Sequence, residues 1–291
     1  MIKISIIIVN YNTSDLLNNC LLSIKKNSGN LFIDNNIEII VIDNGSSDES
    51  LTMLNKNFPE VSIIKNNLNI GFGSANNQGI KKTKGEYVLM LNSDIEVLDN
   101  GIIKIMDFIV NNKKADFVGG KLYDLDGKKQ ASCGPFYSLP VIFALLFLKG
   151  DKLFITRYSP EKNREVDWVS GACLLGKKET FNKVGLFDEK IFMYMDDIEY
   201  LYRARNLGLN AFFCKDAKFI HIGSGSSIGK TNPIINIYKG LIYFYKKYKS
   251  PQELALLKIM LKLKANIVIM LGKLTNNGLV VKTYEKALGL V

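Results

Sequence analysis

Two adjacent aspartates, Asp196 and Asp197, stand in the segment MYMDDIEYLYRAR, at the predicted start of a helix. Neighbouring carboxylates repel each other, which raises the pKa of one of them toward the range suited to taking a proton from a hydroxyl group. Acidic residues at a helix start can also cap the helix and complement its dipole. The pair is therefore a candidate general base, with helix capping as the alternative.

Two further residues could hold a metal ion. Asp94 ends the apolar segment LMLNSD, and His221, the only histidine of the chain, follows the short apolar run KFI. A divalent cation that bridges two phosphates prefers oxygen ligands, and Asp94 can supply one. The alternatives are a solvated loop aspartate and a histidine packed in the core. The polar Gly/Ser-rich loop after His221 favours a position at the rim of a site.

The segment VIDNGSSDES ends a predicted strand at Asp43 and opens a helix near Ser47. A carboxylate at a strand end can accept a hydrogen bond from the ring N–H of uracil or thymine. The helix itself could be capped by Ser46 or Ser47, which does not involve Asp43. Asp43 is therefore a candidate for binding a pyrimidine base.

The segment NIGFGSANNQGI is rich in glycine and joins a predicted strand to a predicted helix. It does not meet the GxGxxG spacing of dinucleotide-binding loops, because Asn76 stands where the third glycine belongs. A tight turn at Gly71 would still allow the backbone to approach a nucleotide closely.

Short runs rich in Ile and Val alternate with helix-like stretches, which predicts an α/β fold around a mostly parallel sheet with helices on both faces. Two short strands are predicted at 211–213 and 218–222. In such sheets, ligands bind beyond the carboxyl ends of the strands. The polar residues at the predicted strand ends are Asn10, Asn12, Asp43, Asn44, Asn66, Asn69, Asn92, Ser93 and Asp94.

The length of 291 residues and the hydrophobic content of 47% suit one large domain with an appendage. Pro233 and the Gly/Ser-rich loop before it predict a boundary between a catalytic domain at 1–232 and a helical tail at 233–291. No apolar run reaches the roughly 18 residues of a membrane-spanning helix. The four scattered cysteines, without a CxxC pair, predict reduced thiols and a cytoplasmic location.

The tail carries most of the positive charge. Ten lysines and two glutamates follow Tyr238, so this part holds +8 of the net charge of +10. Helices are predicted at 237–247 and 252–271, with an apolar stripe at Ile259, Leu263, Ile267, Met270 and Leu271. The stripe and the lysines favour an anionic membrane, such as the inner face of the cell membrane, with a second contact at 140–148.

Two alternatives for the tail stand beside the membrane. Its charged side could simply be a solvated helix face, and its apolar stripe could pack on the catalytic domain or on a second subunit. Nucleic acid is not expected as a partner, because no binding motif accompanies the charge.

The order of the motifs resembles the family 2 glycosyltransferases, and most closely their rhamnosyltransferase-like bacterial and archaeal members. The resemblance covers residues 2–227 through IIIVNYN, VIDNGSSDES, NIGFGSANNQGI, LNSDIEV, VSGACLLGKKETFNKVGLFDEKIFMYMDDIEYLYRARNLG and FIHIGSGSS. It implies a GT-A fold and an inverting, metal-dependent transfer of a sugar from a nucleoside-diphosphate donor to an acceptor hydroxyl. The implied context is the assembly of a cell-surface polysaccharide or glycolipid on a glycan or lipid-linked glycan acceptor.

The resemblance also implies roles for single residues. Asp43 would bind the pyrimidine of a dTDP- or UDP-sugar, and Asp197 would be the general base beside Asp196. Asp94 matches the last residue of a DxD motif that holds Mn²⁺ or Mg²⁺, with His221 completing the metal shell. The other residues expected around the donor are Asn10, Asn12, Asn69, Gly71, Asn76 and Asn92, the last in the place of the first DxD aspartate.

Two rival functions are a sugar nucleotidyltransferase and an inactive scaffold that binds nucleotide sugars. The first would show a glycine-rich loop with a basic residue near the N-terminus, and IIIVNYNTSD has neither feature. The second predicts the loss of Asp94, Asp197 or His221, and all three are present. Acceptor specificity is expected from residues 132–166 and from the surroundings of Trp168.

Overall fold

The first part of the chain builds four parallel strands. The computed structural model describes residues 3–29, 36–223 and 233–291. Strands β3, β2, β1 and β4 lie side by side in that order, and each runs parallel to its neighbour. Their bounds are β1 Ile4–Asn10, β2 Ile37–Asp43, β3 Ser62–Lys65 and β4 Tyr87–Asn92, and the helices between them are α1 Ser14–Asn27, α2 Ser50–Asn57 and α3 Phe72–Lys82.

The second part extends the sheet with strands of both directions. The remaining strands are β5 Ile95–Val97, β6 Phe117–Tyr123, β7 Lys129–Gln130, β8 Cys133–Gly134, β9 Arg164–Val166, β10 Trp168–Val169, β11 Cys173–Lys177 and β12 Ala211–His221. Strand β11 lies antiparallel between β4 and β6, β12 runs parallel to β6 and antiparallel to β5, and β8 and β10 form a separate pair. The predicted α/β class is confirmed.

Two expectations about the elements need correction. The two strands predicted at 211–213 and 218–222 are one strand, β12, with an irregularity between Cys214 and Lys218. Helix α2 begins at Ser50, so neither Ser46 nor Ser47 caps it. The apolar segment around 140–148 forms the regular helix α5 (Leu139–Phe147) because its proline lies in the first turn, where no N–H is needed.

The sheet separates two apolar layers. Alternate side chains of β1 point to opposite faces, so Ile7 packs in one layer and Ile6 and Ile8 in the other. Helices α1, α2 and α4 (Gly101–Asn111) cover one face. The other face is covered by α3, α6 (Lys178–Val184) and α7 (Asp196–Asn206), together with the tail.

The tail consists of three helices, α8 (Pro233–Tyr248), α9 (Pro251–Leu274) and α10 (Gly278–Leu288). Helix α10 is one helix more than the sequence predicts. A capping box between Ser250 and Glu253 starts α9. The expected domain boundary and the Gly/Ser-rich loop fall at 224–232, outside the described residues. In the described ranges, no helix is both long and apolar enough to cross a membrane.

Helix α9 presents apolar side chains on two opposite sides. Leu257, Leu261 and Ala265 are fully buried where α9 packs on α5, α8 and α10. Ile259 and Leu263, on the other side, are 61% and 52% exposed. Packing on the catalytic domain therefore uses a different side of the helix from the apolar stripe that is predicted to face a membrane.

Candidate functional site

The carboxyl ends of β1, β2 and β4 meet at a cavity of about 350 Å³. Its other walls come from the segment between β8 and β11, from the start of α7 and from α8. Six of the candidate residues line it: Asn69, Asn92, Asp94, Asp196, Asp197 and His221. The sheet thus brings the predicted metal ligands and the predicted base into one space.

The remaining candidate residues do not line the cavity but hold the loops that surround it. Asp43 is fully buried at the end of β2, where its Oδ2 accepts from Asn10 Nδ2 at 3.2 Å and its Oδ1 from the Ser46 N–H at 3.1 Å. The backbone N–H of Asn12 donates to Ser46 Oγ at 2.9 Å, and Asn12 Oδ1 accepts from the Ser47 N–H at 2.7 Å. Both serines therefore join two strand-end loops. The role of Asp43 in base binding stays a prediction.

An asparagine network forms the next wall. Asn44 Nδ2 donates to Asn69 Oδ1 at 2.9 Å, and Asn44 Oδ1 accepts from Asn66 Nδ2 at 3.1 Å. Asn44 and Asn69 both line the cavity. Because their side chains are held by each other, this wall presents polar groups in fixed positions.

The turn at Gly71 joins this wall to α3. Its φ of +92° is strained for other residues, and a Cβ there would stand 2.7 Å from the carbonyl oxygen of Phe192. Asn76, in the following helix, is buried and donates to the Phe72 carbonyl at 3.0 Å. The glycine thus permits the close approach of α3 to the segment before α7.

The sheet places His221 next to Asp94. Strand β12 pairs with β5 so that His221 lies opposite Ile95, and the Ile222 N–H donates to the Asp94 carbonyl at 3.1 Å. His221 Nε2 is 3.5 Å from Asp94 Oδ1 and 3.3 Å from Asn92 Nδ2. Two residues far apart in sequence are therefore fixed by one short antiparallel ladder.

Gln130 determines which ring nitrogen of His221 carries the proton. Gln130 Nε2 donates to the His221 carbonyl at 2.6 Å, so its Oε1 faces His221 Nδ1 at 2.9 Å and can only accept. The ring proton therefore lies on Nδ1, and the lone pair of Nε2 points toward Asp94 and Asn92. Burial lowers the pKa of His221, which favours the neutral ring.

These groups fit a divalent cation. The buried Asn92 Oδ1 has no hydrogen-bond partner, and the carboxylate of Asp94 and the imidazole lone pair of His221 add two donors. Within the described ranges, no three His, Cys, Asp or Glu side chains converge. Mg²⁺ in proteins often has only one or two carboxylate ligands, and phosphate oxygens and water take its other positions. The small number of protein ligands here suits such a cation.

The two aspartates at the start of α7 have different surroundings. Asp197 Oδ2 accepts from the Gly171 N–H at 3.0 Å, and its Oδ1 accepts from the Ile198 N–H at 2.9 Å. Asp196 Oδ1 accepts a long hydrogen bond from the Met195 N–H at 3.3 Å, and its buried Oδ2 has no hydrogen-bond partner. Asp197 is thus the better stabilised carboxylate.

The pKa values follow this difference. Burial, together with the charge of Asp197, raises the pKa of Asp196 to about 8. Burial also raises the pKa of Asp197, but the Gly171 N–H and the charge of Arg157 oppose that rise. Within the pair, the proton is therefore favoured on Asp196 and the negative charge on Asp197, whose two oxygens accept backbone hydrogen bonds.

The tail closes this part of the site. Gly240 of α8 packs on Met195, and a Cβ at position 240 would stand only 2.6 Å from Met195 Cγ. This close approach shields the residue that precedes the aspartate pair. The tail therefore helps to keep the pair away from solvent.

Sequence reasoning missed two charged or polar residues of the site, Gln130 and Arg157. Gln130 lies on the short strand β7, and Arg157 lines the cavity from an irregular segment. Neither belongs to a motif or a periodic pattern. The apolar lining at Tyr137 and Trp168 falls in the region expected to determine acceptor specificity.

Comparison with known proteins matches the chain to one family. The family model described as glycosyl transferase family 2 matches residues 5–185, more than half of the chain. An N-acetylglucosaminyl-diphospho-decaprenol L-rhamnosyltransferase of Mycobacterium tuberculosis is 26% identical over 205 residues, 64% of this chain and 66% of that protein. The glycosyltransferase GlyG of Streptococcus pneumoniae is 28% identical over 267 residues, 87% of this chain and 81% of that protein.

A solved structure shares the fold. The crystal structure of GalNAc-T7 with UDP, GalNAc and Mn²⁺ superposes with a TM-score of 0.59 at 17% identity, covering 84% of this chain and 50% of that one. The relatives named here are sugar transferases, which favours transfer over nucleotidyl transfer. The fold, the motif order and the family match agree, and the chain belongs to glycosyl transferase family 2, in its rhamnosyltransferase-like group, with a GT-A fold.

Proposed function

We propose that this protein is an inverting, metal-dependent glycosyltransferase in which Asp197 is the general base. One observation carries the proposal: Asp197 and the Asp94–His221 pair face the same cavity. An inverting transfer is a single displacement at the anomeric carbon. It needs a base on one side of that carbon and stabilisation of the leaving diphosphate on the other.

Asp197 is suited to take the proton of the acceptor hydroxyl as its oxygen attacks the anomeric carbon. Its two backbone hydrogen bonds hold the carboxylate in place. Asp196, which keeps its proton, adds no second negative charge beside it. Because the attacking oxygen comes from the acceptor, no side chain has to form a covalent intermediate.

Asp94, His221 and Asn92 would hold Mn²⁺ or Mg²⁺, which neutralises the negative charge that develops on the departing diphosphate. Gln130 keeps the Nε2 lone pair of His221 free for this task. The Mn²⁺ named for the GalNAc-T7 structure supports the use of a divalent metal with this fold.

The donor is proposed to be a dTDP- or UDP-sugar. The UDP in the GalNAc-T7 structure supports a pyrimidine nucleotide. Asn44 and Asn69 offer polar groups on the nucleotide side of the cavity, and Asp43 stands behind them. Asn10, Asn12, Gly71 and Asn76 shape the loops of this side.

The acceptor is proposed to be a glycan, or a glycan linked to a lipid diphosphate, in cell-surface polysaccharide or glycolipid assembly. The diphospho-decaprenol in the name of the mycobacterial relative supports the lipid-linked form. Tyr137, Leu145 and Ile237 line the cavity on the side of α5 and α8. This apolar wall is a suitable path for a lipid chain that leaves the site.

A membrane location at the inner face of the cell membrane would bring the enzyme to such an acceptor. The exposed side of α9 displays Leu263 and Met270, which are 52% and 56% exposed. Lys262 and Lys264 flank this stripe, so their ammonium groups can reach lipid phosphates. Each lysine near an anionic surface contributes about 1 kcal/mol.

Two variants of the aspartate pair test the catalytic roles. We expect Asp197→Asn to lower kcat by roughly a hundredfold or more, the size of a general-base contribution, with donor affinity nearly unchanged. Asp196→Asn imitates the protonated residue and should keep kcat within about tenfold. The measurement is release of the nucleoside diphosphate with and without acceptor, across UDP-, dTDP- and GDP-sugars. If Asp197→Asn raises only the KM for the donor, the base lies elsewhere.

A second pair of variants tests the metal site. Gln130→Leu removes the acceptor for His221 Nδ1, so Mn²⁺ affinity in the presence of UDP should fall by about 10- to 100-fold. Gln252→Leu is the matched control, because Gln252 is exposed at the start of α9 and does not line the cavity. Isothermal titration calorimetry measures both. Unchanged Mn²⁺ affinity in Gln130→Leu would remove His221 from the metal site.

Vesicle co-sedimentation tests the membrane contact. Wild-type protein should sediment with vesicles that contain anionic lipid, less so at high salt, and the double variant Leu263→Ser with Met270→Ser should stay in the supernatant. Leu68→Ser, at an exposed apolar residue away from the tail, is the control. Point variants are preferable to deleting the tail, whose buried leucines belong to the core. Equal recovery in the supernatant with and without vesicles would contradict the membrane proposal.

A further inference from the structure

Arg157 places a positive charge in the cavity, and no carboxylate of the described residues neutralises it. Its Nε is buried and makes no hydrogen bond, and within the described residues no ion pair joins its guanidinium to a carboxylate. The guanidinium lies 5.6 Å from the centre of the Trp168 ring. Of the described residues that line the cavity, Arg157 is the only lysine or arginine. Arg157 is half-buried, and its buried Nε–H lacks a hydrogen-bond acceptor, which is costly and points to a ligand that supplies one.

The chain holds Arg157 in a fixed place. Tyr158, the next residue, forms a bridge with Cys133 through backbone hydrogen bonds of 2.8 and 3.2 Å. Thr156, on the other side, is fully buried and bonded to Asp151 through its hydroxyl group. The arginine therefore extends from an anchored backbone, and its position does not depend on a free loop.

Arg157 acts on both parts of the site, the proposed base Asp197 and the proposed metal ligand His221. It lines the same cavity as Asp197 and His221, and its positive charge opposes the rise in the pKa of Asp197 and adds to the fall in the pKa of His221 that burial causes. In the proposed function, the donor diphosphate lies beside His221 and the acceptor hydroxyl beside Asp197. Any anionic group that joins these two places passes close to the guanidinium.

We propose that Arg157 binds a phosphate group of a bound substrate, between the metal ligands and the base. The inference rests on the proposed function and deepens it. The planar guanidinium offers several N–H donors in a fork that matches two phosphate oxygens. The cation–π contact with Trp168 uses none of these donors, and the Nε–H has no other acceptor, so it is available to a ligand.

The phosphate can come from either substrate: the donor diphosphate, or the diphosphate of a lipid-linked acceptor. Two soluble probes separate these sources. The first is UDP or dTDP with Mn²⁺. The second is a short-chain prenyl diphosphate, compared with the prenyl alcohol of the same length, which lacks the phosphates.

The variants are Arg157→Gln and Arg157→Lys, with Arg164→Gln as control. Arg164 is an exposed arginine of the same segment, stacked on Tyr158 outside the cavity. Hydrogen bonds to a charged group contribute about 1.5–3 kcal/mol, so Arg157→Gln should weaken phosphate binding by about 10- to 100-fold. Arg157→Lys keeps the charge but loses the fork and should lie between Gln and wild type. Thermal melts check folding, and the Lys variant decides if Gln does not fold.

Titration calorimetry gives a result for each source. Weaker binding of UDP or dTDP alone assigns Arg157 to the donor, and weaker binding of the prenyl diphosphate with unchanged binding of the alcohol assigns it to the acceptor. Unchanged affinity for both probes, or a wild type that binds neither, would overturn the proposal. Because these are binding measurements, a wild type that binds phosphate yet transfers no sugar would defeat the proposed function alone.

Discussion

Two carboxylates buried side by side cannot both be ionised at neutral pH without a large cost. This constraint governs the site around Asp196 and Asp197. The chain resolves it by giving the backbone N–H groups of Gly171 and Ile198 to Asp197 and leaving one oxygen of Asp196 without a partner. The proton of the pair then has one preferred place, Asp196, and the negative charge of the pair is favoured on Asp197.

The rest of the fold brings the proposed metal ligands into the same cavity as this carboxylate. Parallel strands deliver Asn92 and Asp94 at the same edge, and the ladder between β5 and β12 adds His221 from the far end of the domain. The tail takes part as well, because α8 packs on Met195 through Gly240. Catalytic body and tail are therefore structurally joined at the start of α7.

Much of this arrangement could be predicted from the sequence. Strand-end polar residues follow from apolar periodicity, and the motif order predicts the family and the fold, both of which are confirmed. Asp94, His221 and the aspartate pair do reach one cavity. The burial of Asp43 behind that cavity could not be predicted, because a strand end fixes where a residue stands and not how much backbone covers it.

Gln130 and Arg157 could not be predicted for a different reason. Each acts on a side chain that is distant in the sequence, and neither belongs to a periodic pattern or a recognisable motif. The sequence of α9 alone also does not show which of its two apolar sides is buried, because burial of Leu261 and exposure of Leu263 depend on where α5 lies. Long-range packing, which local spacing does not encode, determines all three.

The central claim is that Asp197 drives one direct displacement with no covalent intermediate. The most direct test is the anomeric configuration of the product, measured by NMR from the coupling constant of the transferred sugar when the donor has a known configuration. The account predicts inversion at the anomeric carbon. A product that retains the donor configuration would contradict it, because retention requires a second displacement or a different path.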